Sequence, residues 1–354
     1  MVLRVIQWAT GSVGRAALEC ILDRPDLELV GCWVHSEAKR GKDVGELIGR
    51  PPVGVIATDD VDEILGMCAD AVMYAPLTPN TREVTALLRS GKNVITPVGW
   101  FFPGKGDSPS VENACQDAGV SLHGTGIDPG GATEVFPLVF SSMSSAVTSV
   151  RAEEFTDVRS YGAPDVLRQI MLFGATPEEA ANGPMVKWLG QGFVQSVRMI
   201  TSALGLGDDI EIRTEHQIAV ATAVIDSPIG KIEPGLVAAQ KFHWEGVVDG
   251  AVVVRIGVEW LMGEENLDPP WTLGDAGERY EIEITGEPDA FITINGWQAK
   301  TLESGLTSNP GIVATAAHCV NSIPYVCAAA PGIRTSLDLP LITGRAHAKL
   351  LVAG

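Results

Sequence analysis

Three small residues placed after an apolar strand are the first sign of chemistry. Val5 and Ile6 end the strand, and Ala9, Gly11 and Gly14 follow within the run VIQWATGSVG (5–14), ahead of a helix-forming stretch from Arg15 to Leu22. This is the spacing of a dinucleotide-binding turn. In such a turn the second small residue lets the backbone approach a pyrophosphate, and the third lets helix and strand pack closely. The helix N-terminus adds free N–H groups and the positive end of its dipole. Ala9 stands where the first glycine is expected, so the fingerprint is incomplete. A strand–turn–helix with two glycines also occurs as a plain tight connection with no ligand. Two features favour binding: the strand opens the chain, and the next strand pattern arrives about 20 residues later, where a ribose is read. Ala9, Thr10, Gly11, Ser12, Val13 and Gly14 are therefore assigned to the dinucleotide.

Domains specific for NAD place an acid at the end of the second strand to hold the ribose 2′-hydroxyl. Here that position reads His35-Ser36, with Lys39, Arg40 and Lys42 following and Glu37 among them. A small hydroxyl near cations suits a 2′-phosphate, so His35, Ser36 and Arg40 are assigned to NADP, preferred over NAD. Two later segments follow predicted strands and so lie at the carboxyl edge of the sheet, where open α/β sheets bind ligands. His123 to Gly131 (HGTGIDPGG) is dense in glycine and is read as a site for the nicotinamide amide or a substrate. Thr96 to Gly104 (TPVGWFFPG) carries two prolines and three aromatics and is read as a rigid, apolar pocket wall. Ala75, Pro76, Thr96, Pro97, Asp128, Pro129 and Gly130 complete the cofactor assignment.

These segments need a parallel sheet to present them. Short apolar runs at Val2–Trp8, Leu27–Val34, Val53–Ala57, Ala71–Ala75, Asn93–Thr96 and Val120–His123 predict its strands. Helix patterns at Gly14–Asp23, Val61–Met67, Thr81–Ser90 and Ser110–Ala118 lie between them. Such alternation predicts a sheet covered on both faces. Beyond Gly131 a helix is expected at Thr133–Ser145, followed by long strand runs and a helical stretch at Pro177–Leu204. The Asp249-Gly250 pair marks a hairpin. The expected fold is α/β: a Rossmann-type domain (1–131) on which 309–354, led by a helix at Ile312–Ser322, packs back. An α+β domain (132–308) with a mostly antiparallel sheet follows it.

Composition narrows the partners. The chain has 354 residues, 45% hydrophobic and 19% charged, with net charge −19. That acidity argues against nucleic acid and anionic membranes, and no apolar run reaches membrane-spanning length. The first strand starts at Val2, so no signal peptide is expected. Cys20, Cys32, Cys68, Cys115, Cys319 and Cys327 are scattered and read as thiols of a cytoplasmic protein. His123, His216, His243, His318 and His347 lack close ligand spacing, so no metal is expected.

The nucleotide turn, Gly41 to Gly49 (GKDVGELIG), the Thr125-to-Gly130 loop and Thr315 to Pro324 (TAAHCVNSIP) resemble the dihydrodipicolinate-reductase-like oxidoreductases. Within these the chain is similar to the 2,4-diaminopentanoate dehydrogenases and native amine dehydrogenases over nearly its whole length. The resemblance implies NAD(P)-dependent interconversion of an amine with a carbonyl compound plus ammonia, and a homodimer formed through the second domain's sheet. It also implies a glutamate after the fifth strand that handles ammonia and the iminium; Trp100 (or Gly99) stands there instead. An indole cannot transfer a proton at neutral pH and meets a cation only through its π face. Another acid must serve, or the reaction differs. Asp128, Glu134 and His123 are the catalytic candidates. Trp100, Phe101, Phe140, His318 and Asn321 are the candidate substrate pocket. The expected activity is hydride transfer to a C=N or C=O carbon of a small, largely apolar substrate. The alternatives are a carbonyl reductase that ignores ammonia and a dinucleotide-binding sensor without turnover.

Overall fold

The computed structural model describes residues 2–207, 209–346 and 350. The chain divides into two compact units, 1–127 with 312–354, and 128–311. The sequence pattern places these boundaries at 131 and 308, a few residues away.

In the first unit strands and helices alternate: β1 (Leu3–Trp8), α1 (Ser12–Leu22), β2 (Leu27–Trp33), α2 (Val44–Ile48), β3 (Ala57–Thr58), α3 (Val61–Gly66), β4 (Ala71–Tyr74), α4 (Thr81–Arg89), β5 (Asn93–Thr96), α5 (Pro109–Ala118) and β6 (Ser121–Gly124). Among the described residues they form a seven-stranded parallel sheet. Its order is Gly332–Ile333, β6, β5, β4, β1, β2, β3. The strands are apolar because helices bury both faces. Val5, Met73 and Ile95 pack with α1 on one side, and Ile6, Val72 and Val94 pack with α4 and α5 on the other. Local chemistry sets the helix ends. Asn80 caps α4 by accepting from Arg82 N and Glu83 N, and Gly91 just beyond that helix sits at φ +81°, where glycine costs least. The third strand is shorter than the expected Val53–Ala57, for a specific reason. The Asp43 carboxylate accepts from Gly45 N, Val53 N and Gly54 N (2.7–2.9 Å), which ties 53–54 into a loop. The expected tail helix runs longer, over Pro310–Cys327, and buries Ala316, Cys319, Val320, Ile323 and Val326 with β1 and α1.

The second unit opens with a π-helical turn (Gly131–Val135) leading into α6 (Phe136–Ser141). A single α-helix was expected there. Pro137 lacks the N–H that an α-helical ladder would direct to Thr133. Next come β7 (Ser149–Asp157), α7 (Pro177–Ala181), α8 (Gln191–Ala203), β8 (Glu211–Ala221), the hairpin β9 (Ile225–Ser227) and β10 (Gly230–Ile232), β11 (Val237–Val248), β12 (Ala251–Leu261), β13 (Leu267–Asp268), β14 (Arg279–Thr285), β15 (Ala290–Ile294) and α9 (Leu302–Thr307). Among the described residues a second seven-stranded sheet runs β13-β8-β11-β12-β7-β14-β15. Every neighbour pair is antiparallel except β12–β7, which is parallel. Asp249 (φ +49°) and Gly250 (φ +81°) form the two-residue turn of the β11–β12 hairpin, with the primed-turn signature such loops need. One face of the sheet carries Phe242, Trp244 and Ile256, packed on Phe193 and Val197 of α8. No helix among the described residues is long and apolar enough to cross a membrane.

Candidate functional site

The first candidate region lies in the first unit, at the carboxyl ends of β1, β2, β4, β5 and β6. Ala9 sits at φ +69°, a left-handed conformation that costs a side-chain-bearing residue about 1–2 kcal/mol. It therefore adopts the shape the missing glycine would take freely. Gly14 is fixed by packing, because a Cβ there would lie 2.2 Å from Ala9 O. Gly11 is different. An added Cβ would meet nothing within 4 Å, and φ is an ordinary −69°. Packing does not demand glycine at this position, and the open space in front of it is what a pyrophosphate drawn to the backbone requires. Gly11 is also the N-cap of α1 and supplies no side-chain cap. Ser12 and Val13 open that helix. Buried Gln7 braces the turn by donating to Ala9 O at 2.9 Å.

Lys39 sits on this turn. Its Nζ donates to Thr10 O (2.9 Å) and Thr10 Oγ1 (3.1 Å), with the Arg15 charge close enough to help burial lower its pKa. His35 and Ser36 are exposed beyond β2, and Arg40 pairs with Asp59 at 3.2 Å. No acid stands at the end of β2. Ala75, which donates to Trp8 O at 3.0 Å, and Pro76 follow β4.

Thr96 ends β5 and is fully buried. Its Oγ1 accepts from Val98 N, and its carbonyl accepts from Thr125 N. Pro97 leads into Gly99 (φ +99°) and Trp100 (φ +55°). Trp100 (8% exposed) and Phe101 (3%) are enclosed, and the Trp100 side chain packs with Trp8, Tyr74 and Leu122. This loop touches the end of β6: a Cβ on Gly124 would fall 2.1 Å from Gly99 O and 2.7 Å from Trp100 C. Glycine at 124 is therefore set by the Trp100 loop.

Two expected site residues serve other roles. His123 is buried, and its Nδ1 lies 2.6 Å from Arg334 O. A carbonyl only accepts, so Nδ1 carries the hydrogen. Burial pushes its pKa down to about 4, so His123 is neutral at pH 7 and is no acid there. Asn321 is not a pocket residue. Its Oδ1 accepts from Arg24 Nη1 at 2.8 Å, and Arg24 also holds Asp26. That contact lies where the chain enters β2, at the end of the sheet opposite the turn. His318, one helical turn earlier, is the neighbour whose charge acts on His123; burial lowers its own pKa as well.

The second region lies in the second unit. Both Asp128 carboxyl oxygens are enclosed and meet no N–H or O–H donor; the carboxyl of Glu154 on β7 faces them. Asp128 is held well above the usual carboxylate range, first by burial, then by Glu154 and Glu134. Two neighbouring carboxylates in a buried place cannot both ionise cheaply. Glu154 is engaged by donors, Trp260 Nε1 and Thr156 Oγ1, each at 2.9 Å, which leaves the proton of the pair on Asp128. Tyr280 and Tyr161 also sit beside Glu154, their phenols pushed up by burial and its charge. Glu134 is fully buried in the π turn. One oxygen accepts from Ser196 Oγ (2.8 Å), the other has no partner, and burial raises its pKa to about 8. Pro129 and Gly130 link Asp128 to that turn, with Gly130 N donating to Thr133 Oγ1. Phe140 belongs to an aromatic chain through Phe136 and Trp297 to Tyr280, with centroid steps of 6.5, 5.9 and 5.5 Å.

Sequence reasoning missed Glu154, Tyr161 and Tyr280. No motif marks them, because they join Asp128 only through strand pairing. Among the described residues no group of His, Cys, Asp and Glu is arranged to hold a metal. A hollow of about 590 Å³ on α4 and α5, lined by Thr81, Arg82, Thr85, Arg89 and Ser110, holds none of the site residues.

Known proteins are similar to this chain in sequence and in fold. Residues 5–95 match the family model of the dihydrodipicolinate reductase N-terminus, and residues 134–349 that of the 2,4-diaminopentanoate dehydrogenase C-terminal domain. An amine dehydrogenase of Streptomyces virginiae is 30% identical, covering 96% of both chains. A 2,4-diaminopentanoate dehydrogenase of Acetoanaerobium sticklandii is 23% identical, over 96% of this chain and 94% of its own. Among solved structures, the amine dehydrogenase from Mycobacterium smegmatis superposes with TM-score 0.78 over 97% of both chains at 22% identity, which shows a shared fold. The chain is an NAD(P)-dependent oxidoreductase and belongs to the 2,4-diaminopentanoate dehydrogenase family, with an amino-terminal half of the dihydrodipicolinate reductase type.

Proposed function

We propose that the protein reduces the C=N bond formed from a small, largely apolar ketone or aldehyde and ammonia, and catalyses the reverse oxidation of the amine. The observation that carries this reading is the enclosed, proton-retaining Asp128 carboxyl, in a chain similar to an amine dehydrogenase over 96% of its length. The cofactor supplies the hydride. The chain supplies phosphate binding at the N-terminus of α1, a dry setting and a proton. Asp128 is the acid, Glu154 the carboxyl that faces it, and Glu134 a second carboxyl that keeps its proton to about pH 8. Trp100 and Phe101 serve as apolar wall, with Trp100 in the place where the resemblance implies a glutamate. NADP is the preferred dinucleotide, because β2 ends without an acid and Lys39 and Arg15 flank the turn. The protein works as a homodimer through the polar face of the second sheet, where Arg151, Glu153, Glu281 and Lys241–Glu259 form ion pairs. Its six cysteines are free thiols, which fits the cytoplasm.

One observation favours a second reading. Trp100 cannot exchange protons, so a carbonyl reductase that ignores ammonia is the rival. Oxidation of NADPH and NADH with a panel of ketones and aldehydes, with and without ammonium, separates the two. The amine reading expects oxidation that depends on ammonium. Equal rates without it establish the rival.

A further inference from the structure

We propose that Glu278 is a proton-relay residue, reloading the buried Asp128–Glu154 pair from solvent after each turnover. The inference rests on the reading of Asp128 as the acid and deepens it by naming how that acid regains its proton.

Reductive amination consumes one solvent proton per turnover. A carbonyl compound, ammonium, a hydride and a proton become an alkylammonium ion and water. Once Asp128 has given its proton it must be recharged, yet both its carboxyl oxygens are shut off from solvent. The Glu154 carboxyl is bonded to it, so the replacement proton passes through Glu154. Three further groups bond Glu154: Trp260 Nε1, the Tyr280 phenol and Thr156 Oγ1. An indole N–H only donates and cannot pass a proton on. Tyr280 is 6% exposed, and burial with the Glu154 charge keeps its phenol protonated. The Thr156 hydroxyl remains, 2.9 Å from Glu154 Oε1, and it leads towards the end of β7.

Glu278 stands at that end. Glu154 pairs with Tyr280 across β7 and β14, and Phe155 with Arg279. Continuing this register by one residue sets Glu278 across from Thr156 and diagonal to Glu154, a spacing that long side chains bridge. A printed contact fixes Glu278 there: its Oε1 accepts from Asp157 N at 3.0 Å. Glu278 is half-buried, so it meets solvent and the strand of the pair at once. Burial first, then the charges of Asp157 and Glu154, push its pKa up to about 7, against the Asp157 N–H and Arg159. A carboxyl in that range gives and collects protons at neutral pH. A glutamate kept only to hold the Asp157 N–H would do so better fully ionised. Glu278 passes its proton by way of the Thr156 hydroxyl to Glu154 and so to Asp128, then takes another from water. Only O–H bonds form and break.

The test compares Glu278→Gln and Glu278→Asp with the wild type in NADPH oxidation by the ketone and aldehyde panel, with and without ammonium. The amide keeps an acceptor for Asp157 N but carries no acid proton. At about pH 7, Glu278→Gln is expected to lose on the order of tenfold in kcat, with the KM for NADPH unchanged. Its first turnover, with enzyme in excess over NADPH, keeps the wild-type rate, because Asp128 starts protonated. Imidazole, a small diffusible acid, restores the steady-state rate of Glu278→Gln as its concentration rises and leaves the wild type unaffected. Glu278→Asp, which keeps an acid, needs less of it. An undiminished kcat, a first turnover slowed as much as later ones, or no response to imidazole overturns the relay. Should neither variant fold, the wild type decides: imidazole accelerates it only above about pH 7, once Glu278 is ionised, and no acceleration at any pH overturns the relay. Imidazole rescue at rates that ignore ammonium keeps the relay and rejects the amine reading, since a reduced carbonyl oxygen takes the same proton. Ammonium-dependent oxidation without rescue keeps that reading and rejects the relay. No oxidation of NADPH under any of these conditions rejects both.

Discussion

The two candidate regions are built in opposite ways. The dinucleotide turn of the first unit is contiguous in sequence, open in front of Gly11, and flanked by the cations Lys39 and Arg15. The carboxyl cluster of the second unit is gathered from residues 128, 134, 154, 161 and 280, is enclosed, and has no cation bonded to it among the described residues. One is shaped to receive anions from solvent; the other retains protons away from it. A phosphate site can be open, because backbone N–H groups and a helix dipole act at short range whatever the solvent. A carboxyl that must hold a proton near neutral pH has to be buried among like charges.

The sharpest way to break the comparison is at the two glycines of the turn. Gly11→Val is expected to weaken dinucleotide binding by more than about 100-fold with only the small loss of Tm of a poorer helix cap, because a Cβ there meets nothing within 4 Å. Gly14→Ala is expected to destabilise the fold itself, by roughly 1–3 kcal/mol, because its Cβ runs into Ala9 O. Calorimetric titration beside thermal unfolding separates the two. Full affinity in Gly11→Val places the pyrophosphate elsewhere.

The next effect belongs to the carboxyl cluster. Glu134 has an ordinary value of 4.5 and a folded value of about 8. Its raised pKa means that the folded state favours the protonated form. The stability it contributes is complete below about pH 4.5 and is lost as pH rises through about 8. Glu134→Gln removes that dependence. Its stability relative to wild type should improve by a few kcal/mol between those limits, read from denaturant unfolding at a series of pH values. A constant difference would show that Glu134 does not hold its proton.

These opposite constructions explain what the sequence discloses. The turn was legible because residues 9–14 do their work on one another: Ala9 even takes the left-handed shape of the glycine it replaces. Strands of the first sheet were legible for the same reason, except around Val53, where Asp43 binds the backbone at a distance. Asp128 and Glu134 could be picked out by their nearness to a glycine loop. Glu154 and Tyr280 could not, since only the β7–β14 pairing sets Glu154 opposite Tyr280. Asn321 was misplaced because a helix motif does not say which end of a sheet its side chain reaches; Arg24 decides that.

The smallest effect sharpens the anion side. Lys39 is half-exposed and bonded to Thr10. Lys39→Ala should weaken NADPH about tenfold, and NADH less, with the difference shrinking at high salt. Equal losses for the two dinucleotides would place Lys39 on the shared pyrophosphate and remove it from the choice between them.

The most direct test of the account is the rate of ammonium-dependent NADPH oxidation by Asp128→Asn across pH. An acid that delivers its proton contributes on the order of 10²–10⁴ in rate. The variant is therefore expected to lose that much, with NADPH affinity unchanged and the alkaline fall of the wild-type profile gone. A rate within about threefold of wild type, with the same pH profile, is below any general-acid contribution and would contradict the assignment of the proton to Asp128.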